Sequence, residues 1–260
     1  MQAQDESGIE IMNFSIAEKY KKHQQWLLFF LILLGALFLR TWYRISHTEL
    51  GRDEIYYINL ALNRTLDTAQ EKILQPPLLI LFLQEVFHYG NNSITTAKIV
   101  ANFVGLLFVI PWWFIGKRVF RSISAATLLM GLAAVLPVAV EYSCVILRET
   151  LYLPVIAWLL LFLTLYYQRA SAQYLVGIGI FLGIGIIIRY ETLEWLIFVL
   201  GLIVWQERSS FHKAYRILLR VFLVMIPLSI TLYAMCALMD YSIEEVVLKV
   251  LSNLHARLNA

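Results

Sequence analysis

The sequence predicts an all-α fold, a polytopic bundle of about seven transmembrane helices with interfacial helices in the first outer loop. Three observations support this prediction. The chain is 60% hydrophobic and only 15% charged, whereas soluble domains average roughly 45–50% apolar and about 25% charged residues. Its apolar runs approach the ~20 residues that a helix needs to cross the hydrocarbon. The connections between runs alternate between Lys and Arg in one set and acids in the other.

The predicted elements follow in order along the chain. A polar segment, 1–25, precedes the first apolar run, and residues 26–239 form the membrane module. The candidate spans within it are the longest apolar runs: 26–43, 97–116, 123–147, 150–168, 173–189, 191–206 and 217–239. In the terminal segment, 240–260, apolar residues recur at spacings of three and four, which predicts an amphipathic helix on the outer surface.

Two regions allow more than one interpretation. Residues 173–206 could form one long tilted span or two short ones, and Arg189, Glu191 and Glu194 favour two because a single span would place three charges near the bilayer centre. The outer loop, 44–96, contains an apolar stretch at 76–90. This stretch is short and carries polar residues, so we expect an interfacial helix rather than a span.

The basic connections predict which side each loop occupies. Lys and Arg in short connections remain on the cytoplasmic side, and here they include Lys19, Lys117, Arg118 and Arg169. The N-terminus is therefore expected in the cytoplasm, and the acid-bearing connections on the extracytoplasmic or lumenal side. We expect an integral multi-pass membrane protein with its site on that outer side.

Asp53 and Glu54 begin a helical pattern, DEIYYINLAL, just beyond the first span. One interpretation makes Asp53 the N-cap of this helix, a common role for Asp. The other makes it a general base, because a carboxylate at the membrane boundary can take a proton from an attacking hydroxyl. Position alone favours the first interpretation.

Two arginines lie in the outer connections that follow, within Arg148-Glu149 and Arg189-Tyr190-Glu191. Each could be a self-neutralising pair, which is frequent where charge approaches lipid. Arginine is also the preferred bidentate partner of phosphate. Two such arginines on the Asp53 side predict a phosphate site with a neighbouring base.

Other chemistries have no support in the sequence. The nucleotide-binding glycine motifs, the H-E-x-x-H motif and the G-x-S-x-G motif are all missing. The histidines are scattered, so we predict no metal and no cofactor. The formal charge of +3 is too small to indicate nucleic-acid binding.

Four motifs together resemble a known family. Asp53-Glu54-x-x-Tyr57-x-x-x-Ala61 and Gln75-Pro76-Pro77-Leu78 are followed by Leu147-Arg148-Glu149-Thr150-Leu151 and Ile188-Arg189-Tyr190-Glu191. Their order resembles that of the dolichyl-phosphate-mannose protein mannosyltransferases, glycosyltransferase family 39. This family includes bacterial aminoarabinose-transferase-like relatives and belongs to the GT-C superfamily. The chain resembles the N-terminal seven-span module of these enzymes.

The resemblance implies inverting transfer of a sugar from a polyprenyl-phosphate donor to a protein, glycan or lipid acceptor. Asp53 would activate the acceptor, and Arg148 and Arg189 would hold the donor phosphate. Gln75 stands where many bacterial relatives have Lys, and Lys72, one turn earlier, is the expected substitute. The remaining residues expected to support the site are Glu54, Tyr57, Glu149, Tyr190 and Glu191.

Two other functions remain open from the sequence. An outer cavity lined by the same arginines would suit a transporter or flippase of lipid-linked intermediates. A shortened module could instead serve as an inactive scaffold. A transporter is expected to show internal repeats or matching discontinuous helices, which the sequence does not clearly show. A long first outer loop that holds an acid favours the enzyme.

Overall fold

The computed structural model describes residues 3–63, 77–207 and 213–238, and within these ranges it is all-α without strands. The all-α prediction is therefore confirmed. The helices are α1 (Ala3–Ser46), α2 (Arg52–Asn63), α3 (Pro77–Tyr89), α4 (Ile94–Leu106), α5 (Val109–Phe120), α6 (Ile123–Val135), α7 (Pro137–Cys144), α8 (Arg148–Arg169), α9 (Ala172–Ile188), a 3₁₀ turn (Tyr190–Thr192), α10 (Leu193–Glu207) and α11 (Lys213–Leu238). Lys72, Gln75 and the predicted helix at 240–260 lie outside the described residues.

Four helical stretches in the described residues are long and apolar enough to cross a membrane: His23–Ser46, Ile94–Phe120, Arg148–Arg169 and Ala214–Ala234. The bent pair α6–α7 raises this number to five. Helices α9 and α10 match two further predicted spans but contain only 17 and 15 residues. The chain is a multi-pass membrane protein, and the total of seven spans stays a prediction.

The predicted span 123–147 is not one straight helix, because α6 and α7 meet at an angle of 52°. Pro137 begins α7, and proline lacks the N–H that would continue the preceding helix. The fully buried Arg40 of α1 packs against this break. Its Nη1 donates to the carbonyl oxygens of Ala134, at 3.0 Å, and of Ala36, at 3.2 Å.

Residues 173–206 form two helices, as predicted from their central charges. Helix α9 ends at Ile188, Arg189 has an extended backbone, and α10 follows the 3₁₀ turn. Thr192 closes this turn by donating from its hydroxyl to the carbonyl oxygen of Arg189 at 2.7 Å. The turn gives Arg189 a fixed position at the end of the bundle.

Close packing of α9 depends on its glycines. A Cβ at Gly179 would collide with the Val224 carbonyl oxygen of α11, and a Cβ at Gly183 would lie 2.9 Å from Cβ of Thr231. Small residues at such positions let membrane helices approach closely. These glycines therefore serve packing.

The bundle has two ends, which α8 connects. Its 22 residues run from Arg148 to Arg169 and span about 33 Å at 1.5 Å per residue, close to the ~30 Å hydrocarbon thickness. We term the Arg148 end the site end and the Arg169 end the basic end. The alternation of acidic and basic connections predicted from the sequence corresponds to these two ends.

A small apolar cluster attaches the first loop to the site end. It joins Ile58 and Ala61 of α2 to Leu79 of α3, Ala97 of α4 and Ile146 of the α7–α8 connection. Helix α3 has 13 residues, fewer than a span requires. The first loop is thus packed against the segment that precedes Arg148.

Candidate active site at the end of the bundle

The first turn of α2 separates Asp53 from its neighbour Glu54. Gly51 holds the N-cap position, because its carbonyl oxygen accepts from the N–H of Ile55 at 3.1 Å. Glu54 caps this turn, since its Oε2 accepts from the N–H of Gly51 at 2.9 Å, half of a capping box. The N-cap interpretation of Asp53 is therefore wrong. Asp53 is exposed, and within the described residues no hydrogen bond or ion pair engages its carboxylate.

Glu54 fixes α2 to the rest of the bundle. It is only 2% exposed, and its Oε1 accepts from the N–H of Ile146 at 2.8 Å. Nζ of Lys98 lies 3.7 Å from the same oxygen and 3.5 Å from the carbonyl oxygen of Glu49. A carboxylate buried with this many partners is unavailable for proton transfer, so Glu54 has a positioning role.

The connection after Ile146 presents Arg148 at the start of α8. Leu147 is extended, and the Thr150 hydroxyl lies 2.6 Å from the carbonyl oxygen of Tyr142 and 2.8 Å from that of Val145. Thr150 is 3% exposed, so this turn is held from inside the protein. Arg148 and Glu149 consequently project from a rigid start of α8.

Glu149 lies between two guanidinium groups. Its Oε1 accepts from Nε of Arg148 at 3.2 Å and from Nη1 of Arg189 at 3.1 Å. Nε of Arg189 also lies 3.5 Å from Oε2 of Glu191, an ion pair without a hydrogen bond. The Arg189 guanidinium lies 5.2 Å from the centre of the Tyr152 ring, within cation–π range.

These contacts fix the two arginines to different extents. The Arg148 side chain is 41% exposed and the Arg189 side chain 25% exposed. Among the described residues, Arg148 uses only Nε toward Glu149, which leaves its terminal nitrogens for a bidentate partner. Glu149 thus orients both arginines, of which Arg189 is the more enclosed and Arg148 faces outward.

Tyr57 links Asp53 to this arginine cluster. It lies four residues after Asp53, on the same face of α2. Burial raises the pKa of the Tyr57 phenol, the nearby Arg148 lowers it, and the carboxylates of Glu149 and Asp53 raise it again. The phenol remains protonated at neutral pH and lies within electrostatic range of both groups.

The structure brings together most of the residues predicted for the site. Asp53, Tyr57, Arg148, Glu149 and Arg189 lie at the site end, and Glu191 pairs with Arg189. Tyr190 instead packs against the apolar core of α8–α11. In the described residues, no three His, Cys, Asp or Glu side chains gather as metal ligands would.

Two contributors were missed by the sequence analysis. Tyr152 carries no motif that would reveal its contact with Arg189, because this contact depends on how α8 packs against the turn after α9. Lys98 did give a signal, since it lies inside the predicted span 97–116. A charged residue within a span usually faces a partner in the bundle interior, and Glu54 is that partner.

Comparison with known proteins identifies one family. The family model described as dolichyl-phosphate-mannose-protein mannosyltransferase matches residues 74–233, more than half of the chain. The match includes Arg148, Glu149, Arg189 and Glu191, and begins after α2. No curated protein and no solved structure matches the chain.

Proposed function

Because the chain belongs to the dolichyl-phosphate-mannose-protein mannosyltransferase family, whose members are membrane glycosyltransferases of the GT-C type, we propose that it transfers a sugar from a polyprenyl-phosphate donor to an acceptor hydroxyl. The acceptor is a protein, glycan or lipid on the extracytoplasmic or lumenal side. Asp53 is the general base, and Arg148 and Arg189 bind the donor phosphate.

One observation carries the proposal: α2 is fastened to the segment that presents Arg148. Glu54 accepts from the Ile146 N–H at 2.8 Å, and Ile146 lies two residues before Arg148. Tyr57 of the same helix lies within electrostatic range of both Arg148 and Asp53. A free carboxylate and an arginine with available donors are therefore held by one rigid connection.

The acceptor half of the reaction uses Asp53. Its carboxylate takes the proton of the acceptor hydroxyl as that oxygen forms a bond to the anomeric carbon of the sugar. The exposed carboxylate, with no partner among the described residues, supports this role. Attack from the side opposite the leaving phosphate inverts the configuration at the anomeric carbon.

The donor half of the reaction uses the arginines. As the bond between the anomeric carbon and the phosphate oxygen breaks, its electron pair leaves with the phosphate, and polyprenyl phosphate departs with an additional negative charge. Fixed guanidinium groups stabilise charge that develops in this way. Glu149 holds the two groups 3.2 and 3.1 Å from one carboxylate oxygen, which supports a shared phosphate position.

The proposal is tested in cells that lack the protein and are given back the wild type, Asp53→Asn or Glu85→Gln. Glu85 is an exposed carboxylate on α3 of the same loop, so it is a matched control. We expect the wild type and Glu85→Gln to restore one surface glycan and consume its lipid-linked precursor. Asp53→Asn should lower transfer by about 10²–10⁴-fold, the usual contribution of a general base. Mass spectrometry of glycans and lipid-linked sugars measures both quantities.

Normal transfer by Asp53→Asn, expressed and inserted at the wild-type level, would remove this residue from the mechanism. A different function would give a different result. Movement of a labelled lipid-linked sugar across vesicles that contain the purified protein, without any glycosylated product, would indicate a transporter. Neither product nor movement, together with a co-purifying second chain, would indicate a scaffold.

A further inference from the structure

A basic cavity lies at the end of the bundle opposite the candidate active site. It has a volume of about 820 Å³ and opens between the α5–α6 connection and the C-terminal end of α8. Four of its lining residues are cations: Lys117, Arg118, Arg121 and Arg169. No carboxylate in the described part of the chain forms an ion pair with any of them.

Other cations at the same end are neutralised. Arg220 lies 2.7 Å and Arg216 4.0 Å from the Glu207 carboxylate, and Arg220 also donates to the Tyr166 hydroxyl at 2.8 Å. Among the described residues, a buried acid therefore lies beside one group of arginines, and none forms an ion pair at the cavity. The predicted cytoplasmic position of these connections accounts for the presence of cations in them. It does not account for the gathering of these cations around a concave space.

An aromatic cavity of about 370 Å³ adjoins the basic cavity and shares Lys117 and Arg118 with it. Trp26, Trp113 and Phe114 line this second space. Trp26 is 44% exposed and is followed by Leu27, which is 61% exposed on α1. The two spaces together offer cations for a phosphate and an apolar path along α1 for acyl chains.

We propose that this pair of cavities binds an anionic phospholipid, with its phosphate among the cations and its glycerol and acyl chains against Trp26 and α1. Basic pockets between transmembrane helices on the cytoplasmic side bind acidic lipid head groups. The N-terminus of α6, where Ser122 caps Ala125, adds a favourable dipole at the rim. A soluble phosphate compound would use the cations but not the aromatic surface.

Native mass spectrometry of the full chain with phosphatidylglycerol or phosphatidylcholine tests the proposal. The test variant, Arg121→Gln/Arg169→Gln, is compared with Arg52→Gln/Arg216→Gln, which removes the same charge away from the cavity. The wild type and the control should retain phosphatidylglycerol in preference to phosphatidylcholine. The test variant should bind phosphatidylglycerol about thirtyfold more weakly, since each cation near an anionic surface contributes about 1 kcal/mol and 1.4 kcal/mol is a factor of ten.

Two further measurements keep the result decisive. Arg121→Lys/Arg169→Lys keeps the charge and should retain the lipid, so loss of lipid by this variant, inserted and folded like the wild type, would overturn the electrostatic assignment. Soluble glycerophosphoglycerol should bind far more weakly than the intact lipid. Equal binding of that head group, equal retention of the two lipids, or equal retention by the two Gln variants would each overturn the proposal.

Discussion

Two ion-pair clusters at the site end are built from similar residues but differ in exposure. In the first, Glu54 and Lys98 have side chains only 3% and 8% exposed, and Glu54 also binds two backbone N–H groups. In the second, Glu149 joins Arg148 and Arg189, whose side chains are 41% and 25% exposed. The first cluster is closed to a ligand, whereas the second presents donor nitrogens to the outside.

The difference shows how one dipeptide supplies two separate functions. Asp53 and Glu54 are neighbours in the chain, but side chains one residue apart on a helix point in directions about 100° apart. Glu54 points into the bundle and holds α2 in place, and Asp53 remains at the surface. The closed cluster positions the helix whose exposed side would carry the chemistry.

The largest effect on stability is expected from Glu54→Gln. This change removes one partner of a buried ion pair and leaves Lys98 buried with an uncompensated charge, which typically costs about 3–5 kcal/mol. The free energy of unfolding, measured by denaturant titration in detergent micelles, should fall by this amount. Glu54→Gln/Lys98→Met should recover much of the loss, because no charge is then left unpaired.

If Glu54→Gln proves as stable as the wild type but inactive, the closed cluster does not have a purely structural role. That result would assign Glu54 to the chemistry. Glu85→Gln is again the control, as it changes an exposed acid on the neighbouring helix.

An intermediate effect is expected from Arg148→Gln in the open cluster. Loss of a charge-assisted contact to the donor phosphate typically costs about 1.5–3 kcal/mol, and partial exposure places this site at the low end. The KM for the lipid-linked donor should rise about tenfold while the unfolding free energy changes little. Arg52→Gln, an exposed arginine of α2, is the control. An unchanged donor KM in Arg148→Gln would exclude a phosphate contact by this residue.

Much of the fold could be predicted from the sequence because composition and run length alone specify membrane helices. The positions of α1, α8, α9 and α11 follow directly from the apolar runs. The break at Pro137 was missed since residues on both sides of it are equally apolar. The bend is seen in the 52° angle between α6 and α7, where Arg40 donates to the carbonyl oxygen of Ala134.

The candidate site could be predicted as a set of residues but not as an arrangement. The alternation of basic and acidic connections along the sequence predicted that Asp53, Arg148 and Arg189 lie at one end of the bundle. That Glu54 is buried and Asp53 exposed depends on the first turn of α2, whose N-cap, Gly51, lacks a capping side chain. The position of Glu149 between two arginines depends on the turn at Arg189, which lies 40 residues away.

The smallest effect is expected from Tyr57, and it tests whether the two halves of the site meet. Burial raises the pKa of its phenol above the ordinary value of 10.0, and the Arg148 guanidinium opposes this by lowering it. A raised pKa in the folded protein contributes stability below the unfolded pKa, and this contribution is lost as the pH rises through the folded pKa. Tyr57→Phe should therefore lose less stability than the wild type as the pH rises through and above about 10, and denaturant titrations at a series of pH values measure this difference.

Arg148→Gln gives the reciprocal test of the same contact. Removing this cation takes away the influence that favours the phenolate, so the Tyr57 phenol should titrate at a higher pH than in the wild type. The difference between the phenolate absorbance of each protein and that of its Tyr57→Phe counterpart isolates this group, and Tyr56→Phe controls for the loss of a neighbouring phenol. Identical Tyr57 titrations with and without Arg148 would mean that α2 and the start of α8 lie too far apart for Asp53 and Arg148 to act on one substrate.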